Sequence, residues 1–444
     1  MTTTGQDRTP QDGSPRVHRS RQPILIGAAL GAAIPGVGLR LFDVHLPDPV
    51  LALIFGIAIV GAAFLLSWAA EAAQVDISAG LAIGVLALIA VLPEYAVDLV
   101  FAVKGGNSFE KFGRSCPSPE GGESPCSLAL ANMTGANRLL IGIGWTMVVF
   151  IAWWRFRQRG EPDRGREVVL ERTRSVELAF LGIATVYSLT LPLRNSINLV
   201  DAAFLVSLFL AYSYRISKAP AEEPHLVGPA RWIGELPKQK RRPAVVGLFV
   251  VAAAIILLCA EHFAEALVGT GKSAGIDEFL LVQWLAPFAS EAPELLVAAL
   301  YAWRLNTNSG LGTLVSSKVN QWTLLVGTLP IAFSIAAGAA HGLPIDTQQR
   351  EELFVTAAQS AFAVAILINL SMSVREAGVV LFLFLFQFVA GAVGPESIHG
   401  PVRVITGIAY LVAAAGLVMK NRRQLGSLFE DGLRTPYRRL QEQS

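Results

Sequence analysis

Charge is scarce in this 444-residue sequence: Asp, Glu, Lys and Arg make up 16% of it, where soluble domains average roughly 25%. The shortage excludes water as the main solvent of the fold. Cysteines number three, so at most one intramolecular bridge can form. No nucleophile–base pairing or metal triad can be placed in one cavity, which argues against an enzyme. The basic residues fall in short loops, which gives no footprint for nucleic acid. The first apolar run is followed by further runs and no clear cleavage site, so no cleaved signal peptide is read. What is present instead is apolar sequence: 53% hydrophobic residues and a mean hydropathy of +0.50. Many runs reach the about 20 residues that cross a bilayer core. The expectation is an all-α, polytopic helical membrane protein whose surroundings are lipid.

The hydropathy pattern predicts twelve spans, near residues 23–41, 49–71, 77–103, 127–154, 175–192 and 195–213, then 243–270, 276–304, 310–338, 352–373, 376–395 and 402–420. Residues 1–22 are polar and bear Pro, Gly and Ser, which reads as a disordered tail. Arginine-rich stretches at Arg16–Arg21, in "RFRQRGEPDRGREVVLERTR", in "KQKRR" and in "KNRR" all fall on one side if the N-terminus is inside. Short cytoplasmic loops concentrate Lys and Arg, so both termini are expected in the cytoplasm, with the chain in a plasma or inner membrane. Cys116 and Cys126 then lie on the opposite, oxidising side in "CPSPEGGESPC", where either a disulfide or two free thiols is permitted. Cys259 sits inside a span and reads as packing.

An internal repeat carries the functional reading. "LPEYAVDLVFAVK" (92–104) lies over "APELLVAALYAWR" (292–304), pairing Pro93 with Pro293 and Glu94 with Glu294. "TGANRLLIGIG" (134–144) lies over "SKVNQWTLLVG" (317–327), pairing Asn137 with Asn320. By the span count the two copies run in opposite directions, as in the inverted repeats of secondary transporters, whose ion sites sit near the midplane.

Proline and carboxylate belong together in such a place. Proline removes a backbone donor and clashes with the preceding turn, so Pro93, Pro287 and Pro293 are expected to break their helices and free carbonyl oxygens. Irregular backbone at membrane depth is tolerated only against protein or a watery cavity. Freed carbonyls beside Glu94 and Glu294 make an oxygen cage of the kind hard cations take. Asp98 lies one turn after Glu94; Ser290 and Glu291 lie one turn before Glu294. A carboxylate at the bilayer centre costs roughly 3 kcal/mol or more, so four of them imply a use. Asp98 and Glu291 could alternatively sit at span ends in water.

The paired Pro-Glu helices, each followed by a Gly/Ser/Asn-bearing helix, resemble the Ca²⁺/cation antiporter superfamily, the sodium/calcium exchangers. The family repeat looks like "GTS-x-PE" then "GN-x-x-GSN"; here the copies read "IAVLPE" then "ANMTGAN", and "ASEAPE" then "LVSSKVN". The resemblance implies two five-helix repeats, 49–213 and 243–395, joined by a cytoplasmic loop at 214–242. An extra helix stands at each end, within 23–48 and 396–420, and a tail follows at 421–444. It also implies an antiporter with no cofactor that exchanges small inorganic ions, Ca²⁺ or another cation against Na⁺ or H⁺. Glu94 and Glu294 would bind the cation, with Asn132, Asn137, Asn320 and Ser290 matching family ligands.

The departures are also informative. Ala90 and Val91 replace hydroxyl positions, Glu291 replaces a serine and Lys318 a glycine. A family ligand position is Leu140 in one copy and Thr323 in the other, and Arg138 stands where an apolar residue is usual. Arg138 is too deep to reach water, and the site carboxylates are its expected partners. Lys318 either joins them or snorkels to the cytoplasmic face. Both cations facing inward would leave one or two negative charges. A lysine in a desolvated site can release a proton, although neighbouring carboxylates oppose this, which leaves room for proton coupling. Two other readings remain: a carrier of a different solute, with Arg138 and Lys318 holding an anion or replacing one bound cation, and a non-transporting sensor or scaffold with its charges fixed as internal ion pairs. Glu71, Glu261, His262 and Glu265 read as vestibule residues. Glu177, Asp201 and Gln359 read as helix contacts, and Gly31, Gly56 and Gly61 as sites of close helix approach.

Overall fold

Inside lipid every backbone polar group must find an internal partner, and a helix meets that demand within one segment. The computed structural model describes residues 22–42, 46–76, 92–113, 116–118, 122–161, 163–219, 226–275 and 277–442, and they are almost all helical. Ten helices among them are long and apolar enough to cross a membrane. The two Pro-Glu helices, α3 (Leu92–Phe112) and α10 (Glu278–Trp303), are not among the ten. Helix α10 carries Glu291 and Glu294, which lower its hydropathy, and the apolar stretch expected ahead of α3 lies outside the described residues. Most of the span expected at 77–103, with Ala90 and Val91, lies outside the described residues.

Helices α1 (Gln22–Phe42) and α2 (Asp48–Ala73) pack as a pair. A Cβ at Gly61 would lie 2.6 Å from the Ala29 carbonyl, and one at Gly56 would lie 3.1 Å from Phe263. Both glycines therefore permit close approach. Gly31 does not: nothing stands within 4 Å of it, because α1 buries Ala29, Ala33 and Gly36 and turns Gly31 away.

Each Asn-bearing helix continues through a π-helical turn. Helix α4 (Pro125–Leu139) passes through Leu140–Trp145 into α5 (Thr146–Gln158). Helix α11 (Thr307–Asn320) passes through Gln321–Leu325 into α12 (Val326–Ala336). Such bulges widen the helix and are frequent at functional sites. Helix α10 packs on α4, and α3 packs on α12 and α4.

The prolines do not break α10, contrary to the expectation; Pro287 and Pro293 lie inside one continuous helix. The carbonyl four residues before Pro287 belongs to Gln283, and α4 covers it at Gly135, where a Cβ would stand 1.7 Å from that oxygen. Only glycine permits that approach.

The remaining helices are α6 (Ser175–Ser188), α7 (Leu199–Ile216), α8 (Gly228–Gly234), α9 (Lys238–Ala274), α13 (Thr347–Ile366), α14 (Val374–Val393) and α15 (Glu396–Lys420). Two short antiparallel sheets cross between the halves: β1 (Glu167–Val169) with β4 (Ser371–Ser373), and β2 (Ser196–Ile197) with β3 (Leu343–Pro344). The C-terminal segment is folded through residue 442. Helices α16 (Arg422–Leu433) and α17 (Tyr437–Glu442) follow α15, and α16 packs on α6. Asp431 pairs with Arg172 at 2.7 Å.

Candidate cation site

Glu94, where α3, α10 and α11 converge, has three further carboxyl groups within electrostatic reach: Asp98, Glu291 and Glu294. Glu94, Asp98 and Glu291 are buried and Glu294 is half-buried. Glu94 lies within electrostatic reach of both Glu291 and Glu294, so the structure brings the paired glutamates of the repeat together. Asp98 and Glu291 are not at wet span ends: they are 0% and 3% exposed. Asp98 accepts a hydrogen bond from Asn132 Nδ2 at 2.7 Å. Glu291 accepts one from Gln321 Nε2. Gln321 is not among the residues expected at the site, and its place directly after Asn320 is the signal in the sequence that points to it. Tyr95, also not among them, directs its hydroxyl to Asn320 Oδ1 at 3.4 Å and links the two copies.

Lys318 faces inward. Its Nζ donates to Asn137 Oδ1 at 2.6 Å and to the Asn137 carbonyl at 2.8 Å, with the Trp322 ring 5.0 Å away. Glu291 and Glu94 are its acidic neighbours, and it is 0% exposed. Snorkelling is excluded. The ammonium occupies the oxygens of an asparagine that the sequence reading assigned to the cation.

Arg138 turns away from the partners expected for it. It does not pair with the site carboxylates. Its guanidinium bridges to Glu352 at 2.7 Å, donates to Gln387 Oε1 at 2.7 Å and stacks 4.7 Å over Trp284. Glu352 is shared with Arg403 at 2.6 Å, and Arg403 also reaches Glu351 at 3.2 Å. This network ties α4 to α13 and α15 on the side away from the site. Burying an ion demands a partner, but which partner is a matter of helix rotation. Consequently, among the described residues, only Lys318 offsets the four carboxylates, leaving three negative charges when all are ionised, not one or two.

Ser290 donates within its own helix, to the Ala286 and Pro287 carbonyls at 3.2 Å each. Six buried oxygens on these residues have no hydrogen-bond donor: Glu94 Oε1, Asp98 Oδ2, Asn132 Oδ1, Glu291 Oε2, Glu294 Oε2 and Gln321 Oε1. That is the donor chemistry a hard cation takes. Among the described residues no three His, Cys, Asp or Glu side chains are grouped closely enough to hold a metal ion, so the oxygens are spread over carboxylates and amides. Glu71 of α2 adds a fifth carboxylate within reach of Glu294, and the Val227 backbone donates to it.

At one mouth, Lys104 pairs with Glu265 at 2.6 Å, Glu261 is exposed, and His262 rests its ring on Phe55. Cys116 and Cys126 are joined as a disulfide beside this mouth. Burial holds the Glu123 carboxyl above its ordinary range, and Asp277, Asp346 and Glu278 add to the effect. Glu177 pairs with Arg174 at 2.9 Å, Asp201 accepts from Tyr187 at 2.6 Å, and Gln359 is buried. Cys259 is a buried free thiol.

Comparison with known proteins adds to this geometry. The profile of the "Sodium/calcium exchanger protein" family matches residues 48–218 and 244–393. A crystal structure of an H⁺/Ca²⁺ exchanger, CAX, aligns over 96% of this chain and 100% of its own, with 40% identity and a TM-score of 0.83. Native YfkE aligns over 88% of this chain and 99% of its own, with 14% identity and a TM-score of 0.56, a likeness of fold alone. No curated protein matches.

Proposed function

The chain belongs to the sodium/calcium exchanger protein family, and on that premise we propose that it exchanges Ca²⁺ for H⁺ by alternating access. The observation that carries the reading is the meeting of Glu94 and Glu294 from two corresponding helices in one buried, oxygen-rich cluster. Glu94, Glu294, Asp98 and Glu291 supply charge, Asn132, Asn320 and Ser290 neutral oxygen, with Asn137 available to the cation only when Lys318 leaves it, and Pro93, Pro287 and Pro293 locally weaken the helices that must move. Proton rather than Na⁺ is favoured as counter-ion by the similarity to a protein described as an H⁺/Ca²⁺ exchanger. Lys318 substitutes for one bound cation.

Twelve spans result when α3 and α10 are added to the ten apolar helices. Two inverted five-helix repeats, 49–213 and 243–395, suit the crossed strand pairings and the two π turns. Helices α1 and α15 are then additions, both termini are cytoplasmic, and the home is a cell membrane. An anion-carrier reading loses support because Arg138 is committed to Glu352.

The test is ⁴⁵Ca²⁺ flux in proteoliposomes under an imposed H⁺ or Na⁺ gradient. A proton gradient should drive accumulation, a Na⁺ gradient should not, and Glu94→Gln or Glu294→Gln should reduce flux to background. Na⁺-driven uptake alone would refute the counter-ion. Flux unchanged in both glutamine variants would refute the site.

A further inference from the structure

A cavity of about 1150 Å³ lies outside the cation cluster, between α1, α2 and α10, with α8 across one end. It exceeds the about 300–1,000 Å³ typical of small-ligand pockets, so it suits an extended occupant. Its trough is apolar: Leu25 and Ala28 come from α1, Ile57 and Phe64 from α2, Leu296 and Leu300 from α10. At the α8 end the chemistry changes to Trp68 and Trp232 with Arg231 and Arg304. Both arginines are exposed. Arg231 is held by Glu235 at 3.0 Å, so the described lining residues at this end carry two guanidiniums against one carboxylate, with the buried Glu71 behind Val227.

That zonation runs in the order of a membrane lipid. Apolar side chains suit acyl chains, tryptophans favour the interface, and a guanidinium fork matches phosphate oxygens bidentately. Basic pockets between spanning helices select anionic head groups. We propose that this groove binds an anionic glycerophospholipid of the leaflet beside α8. Its phosphate lies between Arg231 and Arg304 and an acyl chain runs along Leu25, Phe64 and Leu300. Leu296 follows Glu294 by two residues on the same helix, so the bound lipid braces the helix that carries the cation site. That consequence rests on the exchanger reading; the binding itself does not.

Native mass spectrometry of the delipidated full chain, titrated with phosphatidylglycerol or phosphatidylcholine, tests it. The wild type should bind phosphatidylglycerol about tenfold or more tightly than phosphatidylcholine. Arg231→Gln/Arg304→Gln should bind both equally, and Ala28→Trp, which fills the trough, should weaken both. Inorganic phosphate should not compete, since it has no chain for the trough. An undiminished preference in the double glutamine variant, or unchanged binding in Ala28→Trp, overturns the proposal. Binding is read directly, so a protein that moved no Ca²⁺ would still decide the question.

Discussion

Replacing Lys318 with methionine keeps the length of the side chain and removes its charge. In the native protein the ammonium makes two hydrogen bonds to Asn137, at 2.6 and 2.8 Å, with Glu94 and Glu291 beside it. Hydrogen bonds to a charged group contribute about 1.5–3 kcal/mol each. A divalent cation that uses the Asn137 oxygen must displace one of them. Relief of that competition alone should therefore tighten Ca²⁺ binding by about 10- to 100-fold. The cation-free protein should meanwhile lose about 3–5 kcal/mol of stability, because the carboxylates lose a buried counter-charge. Ca²⁺ should restore part of it, about 2.7 kcal/mol at one hundred times the Kd. Calorimetric titration of Ca²⁺ at fixed pH, with thermal unfolding with and without Ca²⁺, measures both quantities. Unchanged or weaker Ca²⁺ affinity in Lys318→Met would refute the idea that the ammonium stands in for a cation. It would make Lys318 a supporting residue of the site.

Other perturbations probe the surroundings. Arg138→Gln should leave Glu352 to Arg403 alone and cost about 1.5–3 kcal/mol in thermal unfolding, and the double variant with Glu352→Gln should cost less than the sum of the two single changes; additive costs would show that the pair is not coupled. Arg241, by its hydrogen bonds, holds Asp76 down at about 2 against an ordinary 3.8. The carboxylate is the bound form, so this contribution is full above about pH 4 and fades as pH falls through 2. Arg241→Gln should therefore lose stability relative to wild type at neutral pH, and the gap should close towards pH 2; a constant gap in acid-unfolding curves would contradict the assignment. Cys116→Ser/Cys126→Ser should lower stability by about 2–3 kcal/mol for a loop of this length. A reductant should do the same to the wild type and nothing further to the variant.

The carboxylates were legible because their neighbours in sequence are their neighbours in the site. Asp98 follows Glu94 by one helical turn, and Glu291 precedes Glu294 by three residues, so local geometry puts each pair on one face. The repeat was legible because Pro-Glu and Asn recur in the same order. Gln321 was not, since a polar residue beside Asn320 carries no direction until the helix is rotated into place. Glu352 and Arg403 carry no signal in the sequence that ties them to Arg138; only packing of α15 on α13 buries them against it. Glu71, read as a vestibule residue, reaches Glu294 because α2 packs on α10.

What the sequence by itself determined is the solvent, the helices and the inventory of acidic groups, because hydropathy and one-turn spacing act over a few residues. What only the tertiary structure decided is which charges meet. Asn137 and Arg138 are adjacent in the chain, yet successive helix positions differ by about 100°. One therefore receives Lys318, 181 residues away, while the other turns outward to Glu352. The way helices are rotated against one another is set by the whole bundle, and no short stretch of chain records it.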